Sequence, residues 1–436
     1  MRSQITIPST SNALGRRLCA AVLCMAAPWV QARAENLSQA FAAALQSDSR
    51  LMASSRQVSA ARSGLDAALG LARPTVTVNA AYYRLSDAPA FTVKLGPLPA
   101  TTLPFAQDGG WTYGVGVSVP LYTSGRLDRA GQAADAVLAA AQLDVQRTEQ
   151  DVKFDVANSY VAVLRAQRQH TLAESGVATL QAHALDVERF FDKGLVARND
   201  LLAARSAVAN SRQDEIRAAT ALEIARSAYN RQLGRPLADA VALEELTLQA
   251  DAAMAGPAGV VERAELSAMV RQSEALRHQA EATRAAGRPQ VALKAGFDRL
   301  QNRYLSRDGF WSVGIGMQWT LFDGAVSASQ GDALAARADA LAETRADLES
   351  RIALQVRATE MQVRESHARI DLAQAAVAQA EENLRVARDR YQSGVGTNTE
   401  VLDAETLRLK SQSNHFNAIY DNVLAQQQLK RARGVL

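Results

Sequence analysis

Two stretches of the chain alternate apolar residues with small or polar ones at a period of two. In one, Trp111, Tyr113, Val115, Val117, Val119 and Leu121 alternate with Thr112, Gly114, Gly116 and Ser118. In the other, Trp311, Val313, Ile315, Met317, Trp319 and Leu321 alternate with Ser312, Gly314, Gly316, Gln318 and Thr320. A shorter alternating run precedes each: Val76, Val78, Ala80 and Tyr82 in the first case, Val291, Leu293, Ala295 and Phe297 in the second. This period predicts strands. A wholly apolar face, a length of about 11 residues and aromatic ends are the pattern of a strand in a membrane barrel. A soluble two-layer sheet also alternates. The tryptophans near the strand ends, together with an export signal, favour the membrane. The Gly-x-Gly triplets at 114–116 and 314–316 lie inside strands, and no third glycine follows at nucleotide-loop spacing.

After each strand pair the period lengthens. Residues 126–190 read as one helix of roughly 97 Å at 1.5 Å per residue. Apolar or small residues recur there every seven positions: Leu138, Val145, Val152, Ser159, Ala166, Ala173, Leu180 and Val187. The corresponding later stripe is Val356, Val363, Ile370, Val377, Leu384 and Tyr391, and beside it run Ile352, Thr359, Ser366, Ala373, Ala380 and Ala387. Two adjacent heptad stripes, one rich in alanine, predict helices packed closely on more than one neighbour. Gly194 and Gly394 are placed to end these helices in left-handed caps, after which a second helix returns antiparallel.

The chain is therefore built twice. Trp111 matches Trp311, Leu121 matches Leu321, Phe191 matches Tyr391, Gly194 matches Gly394 and Gly234 matches Gly434, all at a spacing of 200. Upstream, Arg73-Pro74 matches Arg288-Pro289 at a spacing of 215, so copy one carries a 15-residue insertion between these points. The Pro/Gly-rich stretch 89–110 predicts a long loop there. The expected organisation is a leader at 1–34, a helix at 35–72, a β-hairpin at 73–122 with its outer loop over 84–110, and a helical hairpin at 123–234. A linker at 235–258 leads to a second helix at 259–287, a β-hairpin at 288–322 and a helical hairpin at 323–434. The class is mainly α with membrane β: two β-hairpins and two long α-helical hairpins per chain.

Arg16 and Arg17 precede an apolar run from 18 to 30, and Ala32-Arg33-Ala34 offers small residues before Glu35. This predicts a secretory signal peptide cleaved after Ala34. Both cysteines, Cys19 and Cys24, fall inside it, so the exported chain has no disulfide. With 48 basic and 45 acidic residues spread along the chain, there is no basic stripe of the kind nucleic-acid binding requires. The five histidines (170, 183, 278, 367, 415) all fall in predicted helices, without metal-ligand spacing. No catalytic constellation, metal or cofactor is expected.

Four membrane strands cannot close a barrel, and open edges are excluded from lipid. A ring of identical chains solves this with a closed heterologous interface. Two chains would give eight strands, a barrel filled by its own side chains. Three give twelve.

The segments Val119-Pro120-Leu121-Tyr122-Thr123-Ser124-Gly125-Arg126, Phe191-Asp192-Lys193-Gly194-Leu195-Val196 and Tyr391-Gln392-Ser393-Gly394, with Glu400-Val401-Leu402-Asp403-Ala404, resemble the TolC family of outer-membrane efflux proteins. The resemblance covers essentially the whole mature chain, in order and in duplicate. It implies a homotrimer in the bacterial outer membrane, with a twelve-stranded barrel continued by a helical tunnel across the periplasm. It also implies docking onto a periplasmic adaptor (membrane fusion protein) and an inner-membrane transporter, in efflux or type I secretion. Two other classes compete: a periplasmic adaptor, which would have one hairpin beside small β domains, and a coiled-coil structural protein, which would not need the strands.

By resemblance, Glu400 and Asp403 match an acidic ring at the periplasmic entrance, and Asp200 and Tyr391 match links that hold the entrance closed. The turns at Gly194, Leu195 and Val196 and at Gly394, Val395 and Gly396 are the tips offered to the adaptor. Trp111, Trp311 and Trp319 belong to the aromatic belt. Plainer roles stand beside these: Thr397-x-x-Glu400 is also a capping box, Asp403 also suits a solvated face, and Tyr391 also continues the heptad stripe. The chain departs from the family at Gly396, where the best-known members carry an arginine. Arg198, Arg385, Arg388 and Arg390 are nearby replacements.

Overall fold

The computed structural model describes residues 34–246 and 263–436. The expected leader, and the linker beyond residue 246, lie outside the described residues. The first copy contains α1 (Leu37–Ser47), α2 (Ser49–Gly70), β1 (Thr75–Arg84), β2 (Ala90–Val93), β3 (Thr101–Pro104), β4 (Gly109–Tyr122), α3 (Arg126–Asp192) and α4 (Arg198–Gln232). The second contains α5 (Ala264–Ala285), β5 (Gln290–Leu300), β6 (Gly309–Gln318), α6 (Val326–Gln392) and α7 (Asn398–Ala432).

Two local expectations change. The stretch 35–72 is two helices, because Asp48 is extended and caps α2 with its carboxylate, accepting from the Arg50 and Leu51 amides at 2.8 and 3.3 Å. The outer loop 84–110 is not structureless. Its threonines and apolar residues pair as a small hairpin, β2 against β3, with Phe91 stacked on Phe105 at 4.5 Å. The proline and glycine content predicted only a long loop and hid the two short runs of β-formers, which lie on either side of a turn at Gly96, whose φ is 56°.

The four long strands form one antiparallel sheet in the order β1-β4-β5-β6. Its register sets the apolar residues of the paired stretches opposite one another, while Trp319 and Leu321 of the second run fall beyond the end of β6 at Gln318. Tyr82 faces Trp111, Val115 faces Phe297, Leu293 faces Ile315, and Phe297 faces Trp311. The other face carries Thr77, Asn79, Gly114, Lys294, Asp298 and Ser312. Gly114 is needed there, since a Cβ would lie 2.6 Å from both the Asn79 and the Asp298 side-chain oxygens. The sheet stops at β1 on one side and β6 on the other, and among the described residues neither edge strand has an outer partner.

Below the sheet stand four helical columns. α3 and α6, 67 residues each, are unbroken and roughly 100 Å long. The columns beside them are composite. α2 lies along the first part of α3, with Arg50 bonded to Asp155. α4 takes over from there, since Tyr229 meets Tyr160 and Arg205 pairs with Glu188 near the far end. α5 and α7 divide α6 in the same way: Arg263 bonds Gln355, while Arg433 reaches Glu360 and Asn422 reaches the Val363 carbonyl. The buried residues of α6 are those of its two heptad stripes, among them Ile352, Thr359, Val363, Ser366, Ile370, Ala380 and Leu384. Asp421 of α7 ties two columns at once, to Arg165 of α3 at 2.7 Å and to Arg369 of α6 at 2.6 Å.

At mid-height, where the composite columns change helix, the largest buried cluster among the described residues gathers around Tyr160, Tyr229, Tyr420, Val152 and Val156. Glu35 is its polar centre. The backbone of Glu35 pairs with the 242–244 segment, and its carbonyl accepts the Tyr160 hydroxyl at 2.8 Å. Its carboxylate takes two hydrogen bonds from Arg235 and one from Tyr229.

Candidate functional site

Two regions have chemistry beyond packing: the outward face of the sheet and the helix tips about 100 Å away along α3 and α6. On the sheet the apolar face is bare. Trp311 is 82% exposed, Val78 and Val313 77% each, and Ile315 71%. A continuous apolar face of this kind is not left to water. Trp311 and Trp319 lie about 26 Å apart along the chain at 3.3 Å per residue, roughly 20 Å of height at a tilt of about 40°, which fits within the apolar band of an outer-membrane barrel. Trp111 and Trp311 sit at the end nearer the outer loops, in ring contact with Tyr82 and Phe297 at 5.3 and 5.0 Å. Trp319 lies just past β6, at the end nearer the helices. Among the described residues no helix is long and apolar enough to cross a membrane.

At the tips, both long helices end in one motif. The amides of Gly194 and Leu195 donate to the Phe191 and Phe190 carbonyls, and those of Gly394 and Val395 to the Tyr391 and Arg390 carbonyls. The glycines sit at φ of 72° and 73°, the left-handed residue this cap requires. Leu195 and Val395 project into solvent at the two apices, 68% and 70% exposed.

The third tip position differs between the copies. Val196 packs its side chain onto the apolar cluster behind the turn. Gly396 instead brings its backbone against the preceding helix, its amide donating to the Arg390 carbonyl at 3.0 Å. A Cβ there would lie 2.9 Å from the Tyr391 nitrogen and 3.0 Å from the Arg390 Cβ. A side chain as large as arginine therefore requires a different turn.

The cluster behind the tips draws on all four helices: Val187 of α3, Leu201 and Ala204 of α4, Leu384, Ala387 and Tyr391 of α6, and Val401 and Ala404 of α7. Tyr391 belongs to this cluster and Asp200 lies near it, and no hydrogen bond joins the two side chains. Asn398 donates its side-chain amide to the Asp200 carbonyl at 3.2 Å, and the Tyr391 hydroxyl is buried without a partner among the described residues. Burial, with Asp200 and Asp186 nearby, raises the Tyr391 pKa.

Glu400 stands exposed on the first turn of α7 and Asp403 on the second. The Glu400 amide donates to the Thr397 hydroxyl at 3.3 Å, and its carboxylate stands 3.9 Å from Arg390. Arg385 is engaged on its own helix with Glu382 and Asp389. Sequence reasoning overlooked His183, which is 6% exposed and bonded to Asn398 at 2.8 Å. Its spacing of +3 from Leu180 and −4 from Val187 places it on the core stripe.

Above the tips α3, α4 and α7 enclose an open groove of about 740 Å³, with Leu172, Leu180, Ala218, Ala221, Leu402 and Leu409 among its lining residues. Among the described residues no group of three or more His, Cys, Asp or Glu is placed to hold a metal.

Comparison with known proteins bears on both regions. The outer membrane efflux protein family model matches residues 40–235 and 260–435, the two copies. Outer membrane protein TolC of Vibrio cholerae serotype O1 is 24% identical over 422 residues, covering 92% of this chain and 91% of the relative. The alkaline protease secretion protein AprF of Pseudomonas aeruginosa is 27% identical over 310 residues, 66% of this chain and 62% of the relative. In structure, the chain is similar to the outer membrane protein VceC of Vibrio cholerae, with a TM-score of 0.77 at 19% identity over 91% of this chain and 96% of that one. The fold with its bare apolar sheet, and a family match across both copies, lead to one conclusion: this chain belongs to the outer membrane efflux protein family and is a channel protein of the bacterial outer membrane.

Proposed function

We propose that three copies of this chain assemble into one passive duct, a twelve-stranded barrel in the outer membrane continued by twelve helical columns through the periplasm. The observation that carries this reading is the sheet with two open edges and one wholly apolar face. Lipid offers unpaired backbone groups no hydrogen bonds, so the edges at β1 and β6 must be paired. Pairing β6 of one copy with β1 of the next closes the ring without leaving an edge. Trp111 and Trp311 then belong to the outer aromatic belt and Trp319 to the inner one.

In this assembly the tips surround the periplasmic mouth. Glu400 and Asp403, one helical turn apart on α7, contribute six carboxylates from three chains and bias passage toward cations. Tyr391 belongs to the packing that holds the mouth narrow, and Asp200 lies near it. Gly194, Leu195, Val196, Gly394, Val395 and Gly396 offer the docking surface for a periplasmic adaptor, whose helices also fit the groove above. The adaptor links the duct to an inner-membrane transporter in a tripartite efflux or type I secretion system. The duct carries out no reaction and requires no cofactor.

The test is assembly. Single cysteines placed along β1 and β6 of this chain, for example at Val76 and Ile315, are expected to give disulfide-linked trimers in detergent or outer-membrane preparations. A chain that stays monomeric and soluble without detergent overturns the proposal.

A further inference from the structure

The tip cluster contains one titratable group that the duct reading leaves unused. His183 sits on α3 of the first hairpin, and its Nε2 lies 2.8 Å from Oδ1 of Asn398, the first residue of α7 in the second hairpin. Asn398 in turn donates Nδ2 to the Asp200 carbonyl on α4 at 3.2 Å. These two bonds set the protonation of the ring. Because Nδ2 must face the Asp200 carbonyl, Oδ1 faces the histidine, and Nε2 must carry the hydrogen. The neutral imidazole therefore accepts its next proton at Nδ1. His183 and Asn398 are 6% and 4% exposed. The imidazole also meets the Tyr391 ring edge-on, with centroids 5.1 Å apart.

We propose that His183, Asn398 and the Asp200 carbonyl form a proton-sensitive latch that holds the two helical hairpins together at their tips, and that protonation of His183 releases it. This rests on reading the tips as the periplasmic mouth, a compartment that follows the pH outside the cell. The charges around the imidazole are mixed. Burial of the ring opposes the cation, whereas the Asn398 Oδ1 of α7, which keeps its bond from Nε2–H when the ring is charged, favours it. Arg388 on α6 opposes it, Asp186 on the histidine's own helix favours it, and Asp200 on α4 stands near Tyr391. Burial outweighs the favourable contacts and lowers the histidine pKa.

The sign follows from linkage. A base whose pKa is lower in the latched state than in the released state leaves the latch at full strength above the released pKa, near 6.5. Below that value, each pH unit shifts the balance toward release by up to about tenfold, until the latched form itself protonates. The unpaired Tyr391 hydroxyl works in the same direction, since it regains a hydrogen bond when the cluster opens.

The experiment uses the full-length protein in planar bilayers and in detergent, between pH 7.5 and 5.5, a window in which ordinary carboxylates stay ionised. Wild type is expected to gain conductance on acidification. Its amide exchange at 183–205 and 384–404, corrected for intrinsic rate, is expected to rise at the same time. His183→Gln keeps a neutral donor toward Asn398 and is expected to stay latched throughout. Asn398→Ala is expected to open several-fold more often at pH 7.5 and to lose most of the pH response. A wild type flat across this window, or a His183→Gln variant that keeps the wild-type response, overturns the latch. Failure of every variant to form pores overturns the duct reading instead. The exchange data then still decide the latch, which falls if tip exchange is independent of pH in the wild type.

Discussion

Arg235 holds Glu35 through two parallel hydrogen bonds, of 2.9 Å to Oε2 and 2.7 Å to Oε1, although 200 residues separate them. Glu35 is the residue expected to begin the mature chain. The pair fastens that end to the close of the first hairpin, at the level where the composite columns change helix. Burial of Glu35 works to raise its pKa, but the bonds from Arg235 and Tyr229 prevail and hold it below the usual value of 4.5.

Arg235→Ala is therefore expected to destabilise the chain. A fully buried pair broken on one side costs about 3–5 kcal/mol, and about 2 kcal/mol is expected here because the Arg235 side chain is 36% exposed. The pH dependence has a definite sign. Glu35 binds its proton less readily in the folded state, so its contribution is complete above about pH 4.5 and is lost as pH falls through the lower folded value. Denaturant titrations of wild type and Glu35→Gln at pH 7 and pH 4 check this: the gap between the two should narrow at the lower pH.

Gly394→Ala and Gly396→Ala are expected to act by different routes. The first forces alanine into left-handed backbone, at a cost of about 1–2 kcal/mol, without meeting a neighbouring atom. The second has no unfavourable φ but drives a Cβ into the end of α6, so the tip itself must move. Amide exchange across 384–404 separates them. Gly394→Ala should speed exchange at the turn alone, and Gly396→Ala should do so through Tyr391 and the start of α7.

The two faces of the sheet should respond oppositely to charge. Ile315→Arg places a guanidinium on the apolar face near mid-strand and is expected to cost about 2–4 kcal/mol of folding stability in lipid. Ser312→Arg, on the other face, should fold nearly as well as wild type and lower conductance. Heat-modifiability on gels measures the first effect, and single-channel recording measures the second. Equal tolerance of both would mean that the apolar face does not meet lipid.

Glu400→Ala combined with Asp403→Ala is expected to reduce cation selectivity and block by divalent cations, with little change in stability, because both side chains are exposed. Reversal potentials under a salt gradient read this directly. Unchanged selectivity would remove these carboxylates from the conduction path. Arg390→Ala makes a useful partner experiment, since it frees Glu400 from its 3.9 Å neighbour and should sharpen the selectivity.

The elements that repeat with a strict period could be read from the sequence. The alternation at 111–121 and 311–317 showed which residues share a face, although the second strand stops at Gln318, short of the alternating run's end at Leu321. The heptads of α6 named most of its buried positions. Non-periodic features were harder to read. Asp48 breaks the first helix through a local cap, within a stretch whose apolar spacing runs on across it. The β2–β3 hairpin hides in a segment whose prolines and glycine dominate the signal. The His183–Asn398 bond joins residues 215 apart, and neither residue is unusual alone. Resemblance drew attention to Gly396 for the arginine it lacks, but the reason for glycine is the close approach of Arg390 and Tyr391, which only coordinates reveal.

The composite columns have a mechanical consequence. α3 and α6 are continuous rods, while each neighbouring column is spliced from two shorter helices at the same height. Below the splice, α4 and α7 act as arms of about 52 Å, at 1.5 Å for each of 35 residues. A tilt of only about 5° at the splice carries the far end of such an arm by roughly 4.6 Å, more than the diameter of a water molecule. The Glu35 clasp sits at the fulcrum and the tip cluster at the end of the arm, so small adjustments at the first are magnified into large ones at the second.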